Sequence, residues 1–431
     1  MEKISFPKNF YWGSATSAHQ VEGDNFNSDW WAWEKEGNID NNETSGKACN
    51  FWNRYKDDLE LAKKLGQNAF RFSIEWARII KSKDQRIKKT KNREINKYKC
   101  HSEFISESNR KEIPKHVRHT QCGQVRNDKI LNNETINHYQ DVVDCCRKLD
   151  IEPFVTLHHF SNPKWFSDLG GWEKKENIKY FLEYVNLMTQ NIKGVKYWIT
   201  INEPCVYASG SYHKGGWPPG KKNIFSAIKV VKNMIYAHNE AYKIIKKNQP
   251  NSLVGFAKNN AYFEGGIIAS KLKLYWNDYF LDKTKFDFIG LNYYFHDKIV
   301  ASAVPPFFKT MNENKLVSDM KWEIYPEGIY HVLTDLKKYK KPIIITENGV
   351  ADAEDKLRAN FIINHLKYIY KAIKDDVNVQ GYLYWSLLDN FEWAHGFKPR
   401  FGLIKVDHKT QKRIIRKSAL VYAKICKSGT I

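Results

Sequence analysis

The chain is short of paired cysteines, long apolar runs and phosphate-binding glycine loops, and each shortage removes a class of function. Seven cysteines (Cys49, Cys100, Cys122, Cys145, Cys146, Cys205 and Cys426) are scattered through 431 residues, odd in number and without a C-x-x-C pair. That pattern argues for reduced thiols and against a disulfide framework. No stretch is apolar for long enough to span a bilayer, and the first residues hold no apolar core of a secretory signal. A cytoplasmic protein without a membrane partner is therefore expected. There is no glycine-rich dinucleotide fingerprint, and no phosphate loop with acidic metal ligands. Nucleotide cofactors and phosphoryl transfer have nothing to hold them.

What is plentiful is positive charge and aromatic surface. The formal net charge is +21, with 14 Trp, 24 Tyr and 24 Phe. Such a charge suits a polyanion-binding protein, or else a lysine-rich solvated surface with one unusual basic segment. The segment exists, at about 81–129, where the chain is polar, dense in Lys and Arg, and without sustained periodicity. It is read as an insertion, flexible or separately packed, and no nucleic-acid partner is expected. Its Cys100, His101, His116, His119 and Cys122 could ligate zinc, but their spacing matches no standard site, so no metal is expected. Tryptophan at this density is a weak hint of sugar binding, since a pyranose offers flat C–H faces to a ring.

Outside that segment, apolar runs of strand type alternate with amphipathic stretches of helix type. Strands are expected over 10–15, 68–74, 151–157, 197–202, 253–257, 286–294, 342–347 and 381–387. Helices are expected over 51–65, 132–149, 177–192, 224–247, 327–338 and 356–374. On the helix over 224–247, Ile228, Val231, Ile235, His238, Tyr242 and Ile245 form the expected core stripe, with His238 a hydrogen-bonded core residue. Eight strand units alternating with helices predict an α/β protein, a single (β/α)8 barrel over 1–431 carrying the basic insertion in the loop after the second strand.

Such barrels do their chemistry at the C-terminal ends of the strands. Arg71, His159, Glu203, Asn292, Glu347 and Trp385 all fall at or near those ends. A buried Arg71 requires a carboxylate partner. Two glutamates on one rim suit glycoside hydrolysis, one as general acid and the other as nucleophile or base. A divalent-metal hydrolase would want clustered His and Asp ligands, for which His158 and His159 are a partial candidate.

Four motifs then carry a resemblance: F-Y-W-G-S-A-T-S-A-H-Q-V-E-G from Phe10, T-I-N-E-P from Thr200, I-T-E-N-G from Ile345, and W-S-L-L-D-N-F-E-W from Trp385. In this order and at strand tips, they resemble glycoside hydrolase family 1, the β-glucosidases and β-glycosidases. The resemblance spans nearly the whole chain except the insertion. It implies a retaining enzyme without a cofactor, with Glu203 as acid/base and Glu347 as nucleophile. Arg71 and Tyr294 would hold Glu347, keeping it ionised, and the two carboxyl groups would lie about 5–5.5 Å apart. It further implies that Gln20, His159, Asn202, Trp385, Glu392 and Trp393 contact the sugar, Asn202 at the 2-hydroxyl. Trp165 and Trp217 would border the leaving group. Rim packing is the alternative for Gln20 and His159, and core packing for Trp385 and Trp393. The intact Glu392-Trp393 pair favours a plain β-glycoside or oligosaccharide over the 6-phosphorylated sugars of related enzymes. Oligomeric state is not legible.

Overall fold

The computed structural model describes residues 4–82, 129–304, 306, 308–312 and 314–431. Most of the basic insertion, with its five zinc candidates, lies outside the described residues. Eight strands are laid down in chain order: β1 (Tyr11–Ala15), β2 (Ala69–Ser73), β3 (Glu152–His158), β4 (Tyr197–Asn202), β5 (Leu253–Asn259), β6 (Ile289–Asn292), β7 (Ile343–Asn348) and β8 (Val379–Trp385). They form one closed parallel barrel, in which each strand pairs with its sequence neighbours and β8 closes on β1 from Tyr11↔Gly381 to Ala15↔Trp385.

Parallel strands covered on both faces read as apolar runs, and A-F-R-F-S, Y-W-I-T-I-N and I-I-I-T-E-N are buried along their whole length. One face fills the barrel with Ala69, Phe154, Tyr197, Ile199, Ala257, Phe288, Ile344 and Leu383. The rings of Phe154 and Tyr197 stack there at 4.3 Å. Each large side chain removed from water contributes about 1.5–3 kcal/mol. The barrel is therefore a packed plug, and space for a ligand is left at the mouth. Strand spacing sets one glycine: a Cβ on Gly290 would lie 2.6 Å from the carbonyl oxygen of Phe256.

Among the described residues, the helices on the outside include α1 (Phe51–Lys64), α2 (Asn133–Lys148), α3 (Ile178–Asn191), α4 (Ile224–Asn248), α5 (Ile267–Lys273), α6 (Glu327–Leu336), α7 (Arg358–Lys374) and α8 (Lys417–Ser428). Capping residues start two of them. Asn132 Oδ1 accepts from the N–H of Thr135, and Asn223 Oδ1 accepts from those of Phe225 and Ser226. On α4 the buried stripe is not the expected one. Ala227, Val230, Met234, Ala237, Ala241 and Ile245 face the barrel, while Ile228 is exposed and Val231 and Ile235 are half-buried. The close approach of α4 to the strands selects small side chains, which hydrophobic periodicity does not weight. His238 is fully buried, between Thr200 Oγ1 and the carbonyl of Lys285, each at 2.6 Å.

Three boundaries differ in ways that matter. β5 runs two residues past the expected 253–257, taking in Lys258 and Asn259, whose polarity hides them from an apolar-run reading. β6 is four residues where nine were expected. The helix α5, with a widened turn at Leu274–Asp278, was not expected at all. After β2, the short strands Ile80–Ser82 and Lys129–Leu131 pair antiparallel, with Ser82 opposite Lys129. The basic segment thus leaves and re-enters the barrel at the base of one hairpin, between β2 and α2. No helix among the described residues is long and apolar enough to cross a membrane.

Candidate active site

The rim is built where strands stop. β4 ends at Asn202, and Glu203 takes a left-handed conformation (φ +42°) with its N–H on the carbonyl of Ala257 at 2.7 Å. Pro204 then opens a short helix, Pro204–Ala208, at a position where its missing N–H costs nothing. A non-glycine residue in this region of φ/ψ costs about 1–3 kcal/mol, which the surrounding packing must hold. Phe160 (φ +66°) and Trp393 (φ +51°) on the same rim share the feature. β7 brings Glu347 opposite Asn292 of β6.

Arg71 is fully buried and, beyond a long bond from Nη1 to the Thr346 carbonyl at 3.4 Å, is divided among three side-chain acceptors. Nη1 donates to Glu347 Oε1 at 2.5 Å, Nη2 to Asn202 Oδ1 at 2.6 Å and Nε to Thr156 Oγ1 at 3.0 Å. Its required partner is therefore Glu347. The second oxygen of Glu347 accepts from the Tyr294 hydroxyl at 3.0 Å. Glu203 has weaker company, since Oε1 accepts from the neutral amides of Asn292 (2.8 Å) and Asn259 (3.3 Å). Thr346 Oγ1 donates to Asn292 Oδ1 at 2.7 Å, which fixes the orientation of that amide.

The two carboxyls are therefore unequal. Burial, followed by the charge of Glu347, pushes Glu203 up to about 7. Burial also raises Glu347, but the Arg71 guanidinium and the Tyr294 hydroxyl pull it back. Arg71 was expected simply to keep Glu347 ionised; instead it offsets a burial penalty that remains the largest influence. A guanidinium at 2.5 Å still makes Glu347 the better anion of the pair, because Glu203 has only amides to replace water. Glu392 is the third buried acid. Burial and then the Glu347 charge push it up to about 8.

Around these acids lies a cavity of about 140 Å³, walled by His159, Trp217, Tyr294, Trp322, Trp385, Glu392, Trp393 and Phe401 among others. Gln20 lies behind Glu392 and donates to its Oε2 at 3.1 Å. The Trp393 indole stacks on His19 (5.7 Å) on one side and lies 6.1 Å from the His159 ring, which itself faces Trp385 at 5.8 Å. Burial, then Arg71, lowers His159 well below its usual value, so its ring is neutral. His159 Nε2 meets the Asn202 amide at 3.1 Å and its Nδ1 has no hydrogen-bond partner among the described residues.

All the expected site residues meet at this mouth, except Trp165. Trp165 is not in the cavity wall; its indole donates to the carbonyl of Ile80 at 3.0 Å, anchoring the hairpin base. His158 and His159 do not form a metal pair. His158 closes β3 and His159 follows it, and the two rings have separate partners: His158 Nε2 meets Asn162 Oδ1 at 3.0 Å, and His159 Nε2 meets the Asn202 amide. Among the described residues no cluster of three His, Cys, Asp or Glu is arranged to hold a metal ion. Asn259, Met320 and Trp322 are additions that sequence reasoning missed. Asn259 was findable, as the residue closing β5 in the way Asn202 and Asn292 close their strands. Met320 and Trp322 come from the long β6–α6 connection, which has no periodicity to place them.

Comparison with known proteins agrees with this geometry. The model of "Glycosyl hydrolase family 1" matches residues 2–98, 125–265 and 267–430. The chain is 31% identical to Beta-glucosidase A of Thermotoga maritima, over 100% of this chain and 99% of the relative. It is 30% identical to a Beta-galactosidase of Pyrococcus woesei, over 97% of this chain and 96% of the relative. The solved beta-glycosidase from Pyrococcus horikoshii superposes with a TM-score of 0.83 at 35% identity, covering 100% of this chain and 96% of that one. With an eight-stranded barrel, a rim bearing two unequal glutamates and a family match along almost its whole length, this chain belongs to glycosyl hydrolase family 1.

Proposed function

We propose that this protein is a retaining β-glycosidase, acting first on β-glucosides and with some tolerance for β-galactosides and β-fucosides. The observation that carries the assignment of roles is the asymmetry between the two glutamates. Glu347 is held by a guanidinium and a phenol, the environment of an anion, and is the nucleophile. Glu203 is held by amides alone and pushed up to about 7, the environment of an acid, and is the acid/base.

Glu347 attacks the anomeric carbon as Glu203 gives its proton to the glycosidic oxygen, and the aglycone departs as an alcohol. The glycosyl ester has consumed the Glu347 charge, so one cause of the raised Glu203 is gone. Glu203 then takes a proton from water, the hydroxide replaces Glu347 at the anomeric carbon, and configuration is retained. Asn202 reaches the 2-hydroxyl by exchanging its bond to the neutral His159 ring. Trp385 and Trp393 offer faces to the sugar C–H surface. Gln20 and Glu392 together serve two neighbouring hydroxyls, and a carboxyl at that place argues for a plain sugar over a phosphorylated one. Trp217 borders the leaving-group side. Relatives that carry β-glucosidase and β-galactosidase names support the substrate range. The compartment we assign is the cytoplasm, supported by the five described cysteines all being free thiols. The partner is a small β-glycoside, with no role for nucleic acid.

The test is chemical rescue. Glu347→Gly should abolish hydrolysis of 4-nitrophenyl β-glucoside, and azide should restore turnover with an α-glycosyl azide as product. Glu203→Ala should spare 2,4-dinitrophenyl glycosides far more than alkyl glycosides, and azide should give the β-glycosyl azide. The opposite anomers would exchange the roles, and unimpaired hydrolysis by both variants would end the proposal.

A further inference from the structure

Behind Glu203, on the side away from the cavity, the protein buries a cation that the double displacement does not use. Lys258 follows Ala257 on β5 and is 1% exposed. Alternation along the strand sends Asn259 into the mouth, where it holds Glu203, and turns Lys258 outward, toward the layer between the barrel and the helices. Its Nζ donates to the carbonyl oxygen of Asn259 at 2.6 Å and lies 5.5 Å above the Trp276 ring. No carboxylate among the described residues forms an ion pair with it. Asp278, one of the two acids whose charge it feels, is already paired with Lys338 at 2.9 Å. A buried ammonium with only a carbonyl and a ring face for company is costly, and a leucine or methionine would fill the same space without that penalty.

We propose that Lys258 is a positioning residue for Glu203: its ammonium clamps the backbone of Asn259, whose amide holds Glu203 Oε1, and places a positive charge behind that carboxyl. This rests on Glu203 being the acid/base. The groups facing Glu203 are Glu347 and Glu392, which oppose its ionisation, and Arg71 and Lys258, which favour it. Those facing Lys258 are Cys205, Glu203 and Asp278. Burial lowers Lys258 from its usual value while these three groups raise it, so the charge at this point depends on its neighbours. In the first step a protonated Glu203 is needed, and Glu347 supplies the repulsion that keeps it so. In the second step Glu347 is esterified, and Glu203 must act as a base. A lysine kept charged by these neighbours then favours the form that is needed. The device biases Glu203 toward its carboxylate when its rival charge has gone.

The experiment compares Lys258→Met, Lys258→Gln and Lys258→Arg in the full chain, with melting curves to establish folding. Loss of the charge should move the alkaline limb of kcat/KM for 4-nitrophenyl β-glucoside upward by roughly half a pH unit or more. It should also lower kcat for 2,4-dinitrophenyl β-glucoside, where hydrolysis of the glycosyl-enzyme is limiting, by about threefold while Lys258→Arg stays near the parent. In a Glu203→Ala background the Lys258→Met effect on kcat should vanish, because the two residues act as one unit. A folded neutral variant with an unmoved limb and unchanged kcat overturns the proposal. So does an equal loss in the Arg and neutral variants, or a loss that persists without Glu203, since either marks a packing role. The parent reading fails separately, if Glu203→Ala shows no dependence on the leaving group.

Discussion

At the residue scale, the chemistry rests on how four side chains divide their hydrogen bonds. Arg71 spends one nitrogen on Glu347 and another on Asn202, so the proposed nucleophile and the amide proposed to contact the sugar share one anchor. Two consequences follow for the pH profile. Because the proposed roles need Glu203 protonated, kcat/KM should fall as pH rises through about 7, a value belonging to the interacting pair. Because Glu347 must be ionised, the acid limb reports that residue, and Tyr294→Phe removes a donor to its anion. That substitution should raise the Glu347 pKa, move the acid limb to higher pH and narrow the bell. A hydrogen bond to a charged group is worth about 1.5–3 kcal/mol, so kcat/KM should fall roughly 10- to 100-fold. Steady-state kinetics across pH check both, and an acid limb unmoved in Tyr294→Phe would contradict the arrangement. The demand of Arg71 for an acid was legible from an arginine inside an apolar strand. The identity of that acid was not, because Glu347 lies 276 positions away and only barrel closure brings β2 and β7 onto one rim.

Elements rather than residues decide where the rim stands. The tips of β4, β5, β6 and β7 end in Asn202, Asn259, Asn292 and Asn348, one amide on each strand. Amides suit strand tips that must hold carboxylates without fully neutralising them. Two of these tips, on β4 and β7, were readable as abrupt ends to apolar runs. The β5 tip was not, because Lys258 and Asn259 look like the start of a loop unless the strand is known to be buried on both sides. Helix α4 shows the converse, since its span was legible and its buried face was not. Asn223 satisfies two N–H groups at its start, so Asn223→Ala should cost about 1 kcal/mol of stability and Asn223→Gly only a few tenths. Urea unfolding of both variants tests this, and equal losses would show that the cap bond is not what matters.

For the whole molecule, the open matter is the basic segment between Ser82 and Lys129. The family model is interrupted there, from 99 to 124, and Lys and Arg outnumber Asp and Glu roughly two to one over 83–128. Ser82 and Lys129 face each other across an antiparallel ladder, so a two-residue Asn-Gly turn can join them directly. We propose that the segment is an addition to a single barrel domain that brings no catalytic group. A chain shortened in this way should fold and keep most of its activity on 4-nitrophenyl β-glucoside. A folded but inactive product would show that the segment completes the site.

The amino-acid sequence alone determined the class of the fold, the order of its units and the two glutamates, because strand burial, helix periodicity and short motifs are local properties. Even the absence of a nucleotide fold was a local reading. Tertiary structure decided everything that depends on closure. It decided which acid Arg71 holds, why Glu203 and Glu347 differ in company, which face of α4 is inside, and that a buried lysine follows the strand residue whose carbonyl takes the Glu203 N–H. Local pattern records what a residue prefers, whereas a pKa or a shared hydrogen bond depends on groups contributed by strands hundreds of residues apart.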